Sequence, residues 1–382
     1  MHGKIILKPL VRTTPTIWSQ MRLCTLRGAL ASNREVESWV LHDPRQWLGT
    51  AFHKVMEVAD RVETGSEDAE HAWEAAVKQA AEAAALHPLD ARYADPDRWP
   101  GYYLVRQRAL ASARSVNAER TPRPRARRGA GSGGARRLLE GRGGRLCGRP
   151  DHFGAGILTE YKSTLPDSAW PGSSDVIEGF RRQLRLYAVL VAEVFGSWPM
   201  RGRVLAANGQ TIDVPLVKTE CEAEAESAIA ALNLLNGQIT FGSVPDALAT
   251  PSPSSCRSCP FQCICPAFWM WLKGGGRFTE SDDVAMEGVL NRVELGQDRD
   301  LYIAYFEASA ASHSAVKMQS LVLRRSIHRD LTTSPEGATW RVVGAKLRPD
   351  GRIRADLSTV VFDADELPML VSCAALDSVP DK

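Results

Sequence analysis

The chain predicts an α/β fold followed by a smaller β-rich domain, and three observations lead there. Four helical patterns fill residues 16–117, with apolar positions at helical spacing. From about residue 137 the apolar period shortens to two, between glycine turns. After Gly274-Gly275-Gly276 the pattern becomes five short strands, as in a small barrel or sandwich. The 382 residues suit two domains, 1–274 and 275–382.

The N-terminal elements follow in order. Met1–Thr13 holds a short strand. Thr16–Ser32 reads as one helix, Pro44–Asp60 as a second, Ser66–Leu86 as a third and Trp99–Asn117 as a fourth. The third places Glu67 and Asp68 in its first turn and stops at His87-Pro88. Thr121–Ala135 is a loop by its Pro and Gly content.

Strands are expected at Arg137–Glu140, Leu146–Phe153 and Gly156–Ser163, then a long amphipathic helix at Ser174–Phe195. Val204–Asn208 and Thr211–Leu216 form a hairpin closed at Asn208-Gly209. Thr219–Leu235 is helical, and Pro245–Ser255 is a linker. The C-terminal strands are Val284–Glu294, Asp300–Phe306, Met318–Arg325, Thr339–Val343 and Ile353–Val361. Trp340, Tyr302, Tyr305 and Phe306 could be stacking faces there, but aromatics in small β-domains are core more often than platforms.

Composition excludes several classes. With 44% hydrophobic and 24% charged residues the chain is an ordinary globular one, neither disordered nor fibrous. No run approaches the roughly 20 apolar residues of a membrane helix. The apolar run Ile5-Ile6-Leu7 is too short for a secretory signal, so a cytoplasmic address is expected, with no membrane partner.

The charge of +2 is unevenly spread. Leu104–Arg149 carries thirteen Arg against Glu119 and Glu140, a local balance of +11 that leaves about −9 elsewhere. Such a block suits a polyanion, and Arg123, Arg125, Arg127 and Arg128 are the candidate nucleic-acid contacts in a basic loop spanning 120–137.

Eight cysteines are too few for a disulfide scaffold, and four of them (Cys256, Cys259, Cys263, Cys265) fall within ten residues. In a reducing compartment that clustering points to a metal or cluster site. A zinc site of those four satisfies the donor chemistry as well.

The chemistry concentrates at Gly148-Arg149-Pro150-Asp151 and Leu158-Thr159-Glu160-Tyr161-Lys162. Adjacent strands joined by a turn at Gly154-Ala155-Gly156 would set Asp151 beside Glu160. Strand alternation then returns Lys162 to the face of Glu160. Two carboxylates suit Mg²⁺ or Mn²⁺, and a lysine beside them can orient water or stabilise charge on a reacting phosphate.

These residues resemble a known family. Pro150-Asp151, eight residues, then Glu160-Tyr161-Lys162 is similar to the PD-(D/E)XK nuclease signature. Gly49-Thr50-Ala51-Phe52-His53 resembles the Gly-x3-His of its RecB-like branch, and Gln183-Leu184-Arg185-Leu186-Tyr187 resembles that branch's Gln-x3-Tyr helix. The likeness covers residues 24–266 and implies a restriction-endonuclease-like mixed sheet flanked by helices. It implies that His53, Asp151, Glu160 and the Tyr161 carbonyl hold the cation, that Lys162 activates water, and that Gln183 and Tyr187 align the strand. Gly49, lacking a side chain, is expected to allow close backbone approach to its helix.

Cys256-x2-Cys259-x5-Cys265 with a distant Cys24 is similar to the iron–sulfur staple of AddB-type and CRISPR-adaptation nucleases. That likeness implies a 4Fe–4S cluster on Cys24, Cys256, Cys259 and Cys265. Closing so long a loop would stabilise the fold by roughly 4–5 kcal/mol on the disulfide analogy. The C-terminal strands resemble an OB-like barrel. The resemblance as a whole implies a metal-dependent exonuclease on single-stranded DNA, working with protein partners in repair or defence. Two rivals share the residues: a non-catalytic nucleic-acid-binding subunit on an inactive nuclease fold, and a zinc-ribbon adaptor.

Overall fold

The computed structural model describes residues 3–59, 66–118, 137–166, 173–278, 281–313 and 318–373. Arg123, Arg125, Arg127 and Arg128 lie outside the described residues. The chain is mixed α/β, with several small sheets and a β-barrel at its C-terminal end.

After β1 (Lys4–Leu7), the segment predicted as one helix is two: α1 (Pro15–Leu23) and α2 (Thr25–Leu30), separated by an extended Cys24. Thr14 caps α1 by accepting from the Ile17 amide, and Pro15 occupies the first turn, where its missing N–H costs nothing. The break is tertiary in origin. The two helices press so closely that a Cβ at Gly28 would collide with Met21 Cγ.

α3 (Pro44–Ala59), α4 (Ser66–Leu86) and α5 (Tyr102–Ala118) make a helical layer of their own. Along α3, Leu48, Ala51, Phe52, Val55, Met56 and Ala59 are buried at the three- and four-residue spacing of one helix face. They share a core with Trp73 and Val77 of α4, Ala109 of α5, and Tyr161 and Ala207 from the neighbouring sheet.

β2 (Leu139–Gly141) and β3 (Leu146–Gly148) form a hairpin. The single strand expected over Leu146–Phe153 is interrupted after Gly148 and resumes as β4 (His152–Gly154). Pro150 lies in the gap and has no N–H to give to a ladder. β4 turns into β5 (Ile157–Lys162) through Ala155 and Gly156, both left-handed at φ 51° and 76°, the geometry of a tight hairpin.

α6 (Ser173–Phe195) then crosses over to β6 (Arg201–Ala206), parallel to β5, and β7 (Thr211–Val214) closes the four-stranded mixed sheet in the order β4-β5-β6-β7. α7 (Lys218–Thr240) packs on α6. The sheet is therefore held between α6 on one face and α3 on the other.

The expected linker at Pro245–Ser255 is partly helical: it contains a 3-10 turn at Pro245–Leu248 and the start of α8 (Pro253–Arg257), with α9 (Pro266–Lys273) following. Each begins with proline, which suits a helix start.

Five strands close the barrel: β8 (Asp283–Leu295), β9 (Leu301–Ala311), β10 (Met318–Arg324), β11 (Thr339–Leu347) and β12 (Ile353–Arg354), in the circuit β8-β9-β10-β12-β11. β10 and β12 run parallel, while the other described contacts of the circuit are antiparallel. The strand expected over Ile353–Val361 divides, with β13 (Val360–Asp363) adding to β11.

Trp340, Tyr302 and Phe306 fill the barrel core, the commoner of the two roles open to them, and so are not stacking faces. Inward strand positions bury these rings beside Met286, Leu321, Leu323 and Val342, since side chains fill the interior of a small barrel. Tyr305 alone of the four faces outward, under the Arg292 guanidinium, 4.4 Å from the ring centre. β14 (Met369–Ser372) leaves the barrel and pairs in parallel with β1.

Candidate active site

The β4–β5 register pairs His152 with Thr159, so one step further Asp151 faces Glu160. Asp151 is buried; its Oδ2 accepts from the Tyr161 amide at 2.8 Å. From α3, His53 brings Nδ1 to 3.1 Å of Asp151 Oδ1. The approach is off-line for a hydrogen bond, and this buried nitrogen has no hydrogen-bond partner.

On the α6 side, Lys162 Nζ donates to Glu160 Oε1 at 2.7 Å and to Gln183 Oε1 at 3.1 Å. Gln183 Nε2 donates to the same Glu160 oxygen at 2.8 Å and lies 3.2 Å from the Tyr187 hydroxyl oxygen. Gln183 thus links Tyr187 to the acid–lysine pair. The four-residue spacing of Gln183 and Tyr187 on α6 places both on one face.

Glu160 is also buried, and its second oxygen, Oε2, has no partner. Burial pushes its carboxyl above the ordinary glutamate value and the Asp151 charge adds to this, while Lys162 pulls the other way. Two buried atoms, one imidazole nitrogen and one carboxylate oxygen, therefore lack hydrogen-bond partners beside a second carboxylate. That donor set fits a divalent cation. The ligand atoms of His53, Asp151 and Glu160 do not all fall within 4.8 Å of one another, since Lys162 and Gln183 hold Glu160 on the α6 side.

Two expectations about neighbours change. A Cβ at Gly49 would meet only Ser163 Oγ at 3.9 Å, an ordinary contact, so close approach is not what that glycine provides. Phe180, not singled out from the sequence, sets its ring face 4.8 Å from Lys162 Nζ. Its signal was its place three residues before Gln183 on the same helix.

Cys24, Cys256, Cys259 and Cys265 line one cavity with Leu26, Leu30, Phe261 and Phe268. The extended residue between α1 and α2 brings Cys24 there. Cys263 is fully buried and is not part of that lining. Among the described residues, no three of the cysteine sulfurs lie within 4.8 Å of one another. Burial pushes up the thiols of Cys256, Cys259 and Cys265, that of Cys259 to about 11. The buried guanidinium of Arg27, also missed in the sequence, lies beside Cys259, Cys24 and Cys256 and donates to the Ser255 carbonyl at 3.1 Å.

A mixed sheet whose hairpin carries paired acids and a lysine, backed by a helical glutamine, is consistent with a nuclease fold. Residues 12–266, 255 of the 382, match the model of the PD-(D/E)XK nuclease superfamily, and the chain belongs to that superfamily. This membership brings a nucleic-acid substrate and the metal-dependent phosphodiester chemistry typical of these nucleases. A search of curated proteins gave no match. Among the described residues no helix is long and apolar enough to cross a membrane.

Proposed function

We propose that the chain is a Mg²⁺- or Mn²⁺-dependent deoxyribonuclease of the RecB-like branch, acting as an exonuclease on single-stranded DNA in repair or defence. The supporting observation is the buried constellation in which Glu160 Oε2 and His53 Nδ1 lack hydrogen-bond partners, with His53 Nδ1 3.1 Å from Asp151 Oδ1. Asp151, Glu160, His53 and the Tyr161 carbonyl would hold the cation, which supplies Lewis-acid polarisation of the scissile phosphate.

Lys162 presents an ammonium, fixed by Glu160 and Gln183, to water or to charge developing on phosphate oxygens. Gln183 keeps that ammonium aimed, and Tyr187 keeps Gln183 in place. The preference for single-stranded ends follows from the likeness to the RecB-like branch.

The same reading gives residues 24–266 a 4Fe–4S staple on Cys24, Cys256, Cys259 and Cys265. A tetrahedral zinc with bonds of about 2.3 Å holds its sulfurs ~3.8 Å apart. The wider spacing around this cavity favours a larger group, and Arg27 offsets the charge of four thiolates. Residues 1–274 would be the nuclease domain and 275–382 an OB-like barrel that guides the strand. Its five-strand circuit and the outward Tyr305–Arg292 pair support that role. The arginines at 123, 125, 127 and 128 would bind backbone phosphate.

The test is degradation of end-labelled single-stranded DNA with Mg²⁺ or Mn²⁺ by wild type and Lys162→Ala. Metal-dependent cleavage reduced at least ~100-fold in the variant is expected. Equal activity in both proteins, or none in wild type with either metal, overturns the reading in favour of a non-catalytic scaffold.

A further inference from the structure

Away from the acid–lysine site, one group of metal-binding side chains comes together that the sequence did not announce. His42 lies just before α3, and His87 and Asp90 lie just after α4. Their ligand atoms all fall within 4.8 Å of one another, the one such group of three or more among the described residues. Asp90 is fully buried. Its Oδ2 is 2.5 Å from His42 Nδ1 and 2.9 Å from His87 Nδ1. Its Oδ1 has no hydrogen-bond partner, with Arg92 Nη1 no closer than 3.9 Å.

The hydrogen bonding of His87 calls for positive charge between its ring and Asp90. Its Nε2 lies 2.7 Å from the Glu37 carbonyl oxygen, a contact that needs the proton on that nitrogen. The neutral ring then has a lone pair on Nδ1, which accepts from the Leu89 amide at 3.2 Å. That lone pair also points at carboxylate Oδ2, 2.9 Å away. Two lone pairs in contact are tolerated only with a positive charge between them, either a second ring proton or a metal ion.

Several features favour the metal. A ligating histidine characteristically donates its other N–H to a carbonyl, as His87 does to Glu37. The second nitrogen of His42 lies 4.0 Å from Glu37 Oε1, beyond hydrogen-bond reach. Bonds of about 2.0–2.2 Å set tetrahedral donors ~3.3 Å apart, so the rings need part by less than ~1 Å.

We propose that His42, His87 and Asp90 bind a structural transition-metal ion of the zinc type, with water in the fourth position. Two imidazoles and one carboxylate suit Zn²⁺, whereas Mg²⁺ prefers all-oxygen sites. The ion would close a loop of 48 positions at the base of the α3–α4 pair. The neighbouring Leu41 amide donates to the Pro260 carbonyl at 2.8 Å, so the same point anchors the cysteine segment. The ion would thereby steady α3, which carries His53, without touching the reacting atoms.

The test uses the full chain as wild type, His87→Gln and His42→Gln. Both variants keep every cysteine and the active-site acids, so differences from wild type report this triad. After dialysis against Zn²⁺ with excess Mg²⁺, wild type should retain one more zinc per chain than either variant. Its Tm should rise with zinc and fall with chelator, a response the variants lack.

Equal zinc content and equal Tm response overturn the proposal. Should the variants fail to fold, the ¹⁵N imidazole resonances of His42 and His87 in wild type decide it. Zinc-induced shifts support the site. A His87 that keeps protons on both nitrogens in the presence of zinc overturns it.

Discussion

A Cβ placed on Gly148 would stand 2.6 Å from Cε1 of Tyr187, well inside any real contact between such atoms. Gly148 ends the strand before the bend that carries Asp151, and Tyr187 lies behind Gln183 on α6. The strand and the helix can meet here only because one of them has no side chain.

Gly148→Ala should therefore displace the tyrosine ring and, through Gln183, loosen the Glu160–Lys162 pair. Overpacking of this kind costs about 1–3 kcal/mol. Denaturant titration should show that loss, and kcat should fall more than KM rises. A second change, Tyr187→Leu, should recover most of the stability but not the rate.

Phe180→Leu removes the ring face 4.8 Å from Lys162 Nζ while leaving an apolar side chain on α6. A partly exposed cation–π contact is worth ~0.5–1 kcal/mol, so kcat should fall about two- to fivefold with KM unchanged. Phe180→Tyr should restore the rate. Steady-state kinetics on all three proteins check this.

The raised carboxyl of Glu160 has a defined consequence for stability. Burial makes the folded protein bind this proton more tightly than the unfolded chain, with the Asp151 charge adding to the effect. The metal-free protein is therefore penalised above the folded pKa of Glu160 and relieved as pH falls through it. Glu160→Gln carries no such penalty. Its Tm should gain on that of wild type as pH rises from about 4.3, the ordinary glutamate value, through the raised one. A constant difference across that window refutes the assignment. Cation binding should release a proton, so cleavage should weaken on acidification.

Cys259 and Cys263 should behave oppositely. Cys259 lines the four-cysteine cavity and Cys263 does not. Cys259→Ser should lose most of about four irons per chain, along with soluble yield and Tm. Cys263→Ser should keep its iron and its brown colour. Equal loss in both, or colourless zinc-loaded wild type, would favour a zinc site on Cys256, Cys259, Cys263 and Cys265.

Much of the site was legible because it is local. Asp151 and Glu160 are nine positions apart on a hairpin, so period-two alternation and a glycine turn suffice to make them neighbours. Gln183 and Tyr187 needed only the helical repeat. By contrast, the weak helix formers Cys24, Thr25 and Gly28 in Thr16–Ser32 do not by themselves announce a break at Cys24. The break follows from the packing of Gly28 on Met21. The rings of Tyr302, Phe306 and Trp340 have the composition of a stacking platform, yet barrel closure turns all three inward.

Short-range patterning alone therefore determined the class of fold, the acid–lysine hairpin, the α6 face behind it and the grouping of three cysteines. These depend on side-chain periodicity and turn chemistry within some twenty residues. Only tertiary structure decided that β14 returns to β1, that Cys24 joins cysteines more than 230 positions away, and that His42 meets His87 and Asp90. Such meetings carry no local signature, because the whole chain must first bury its apolar surface before residues distant in sequence share a neighbourhood.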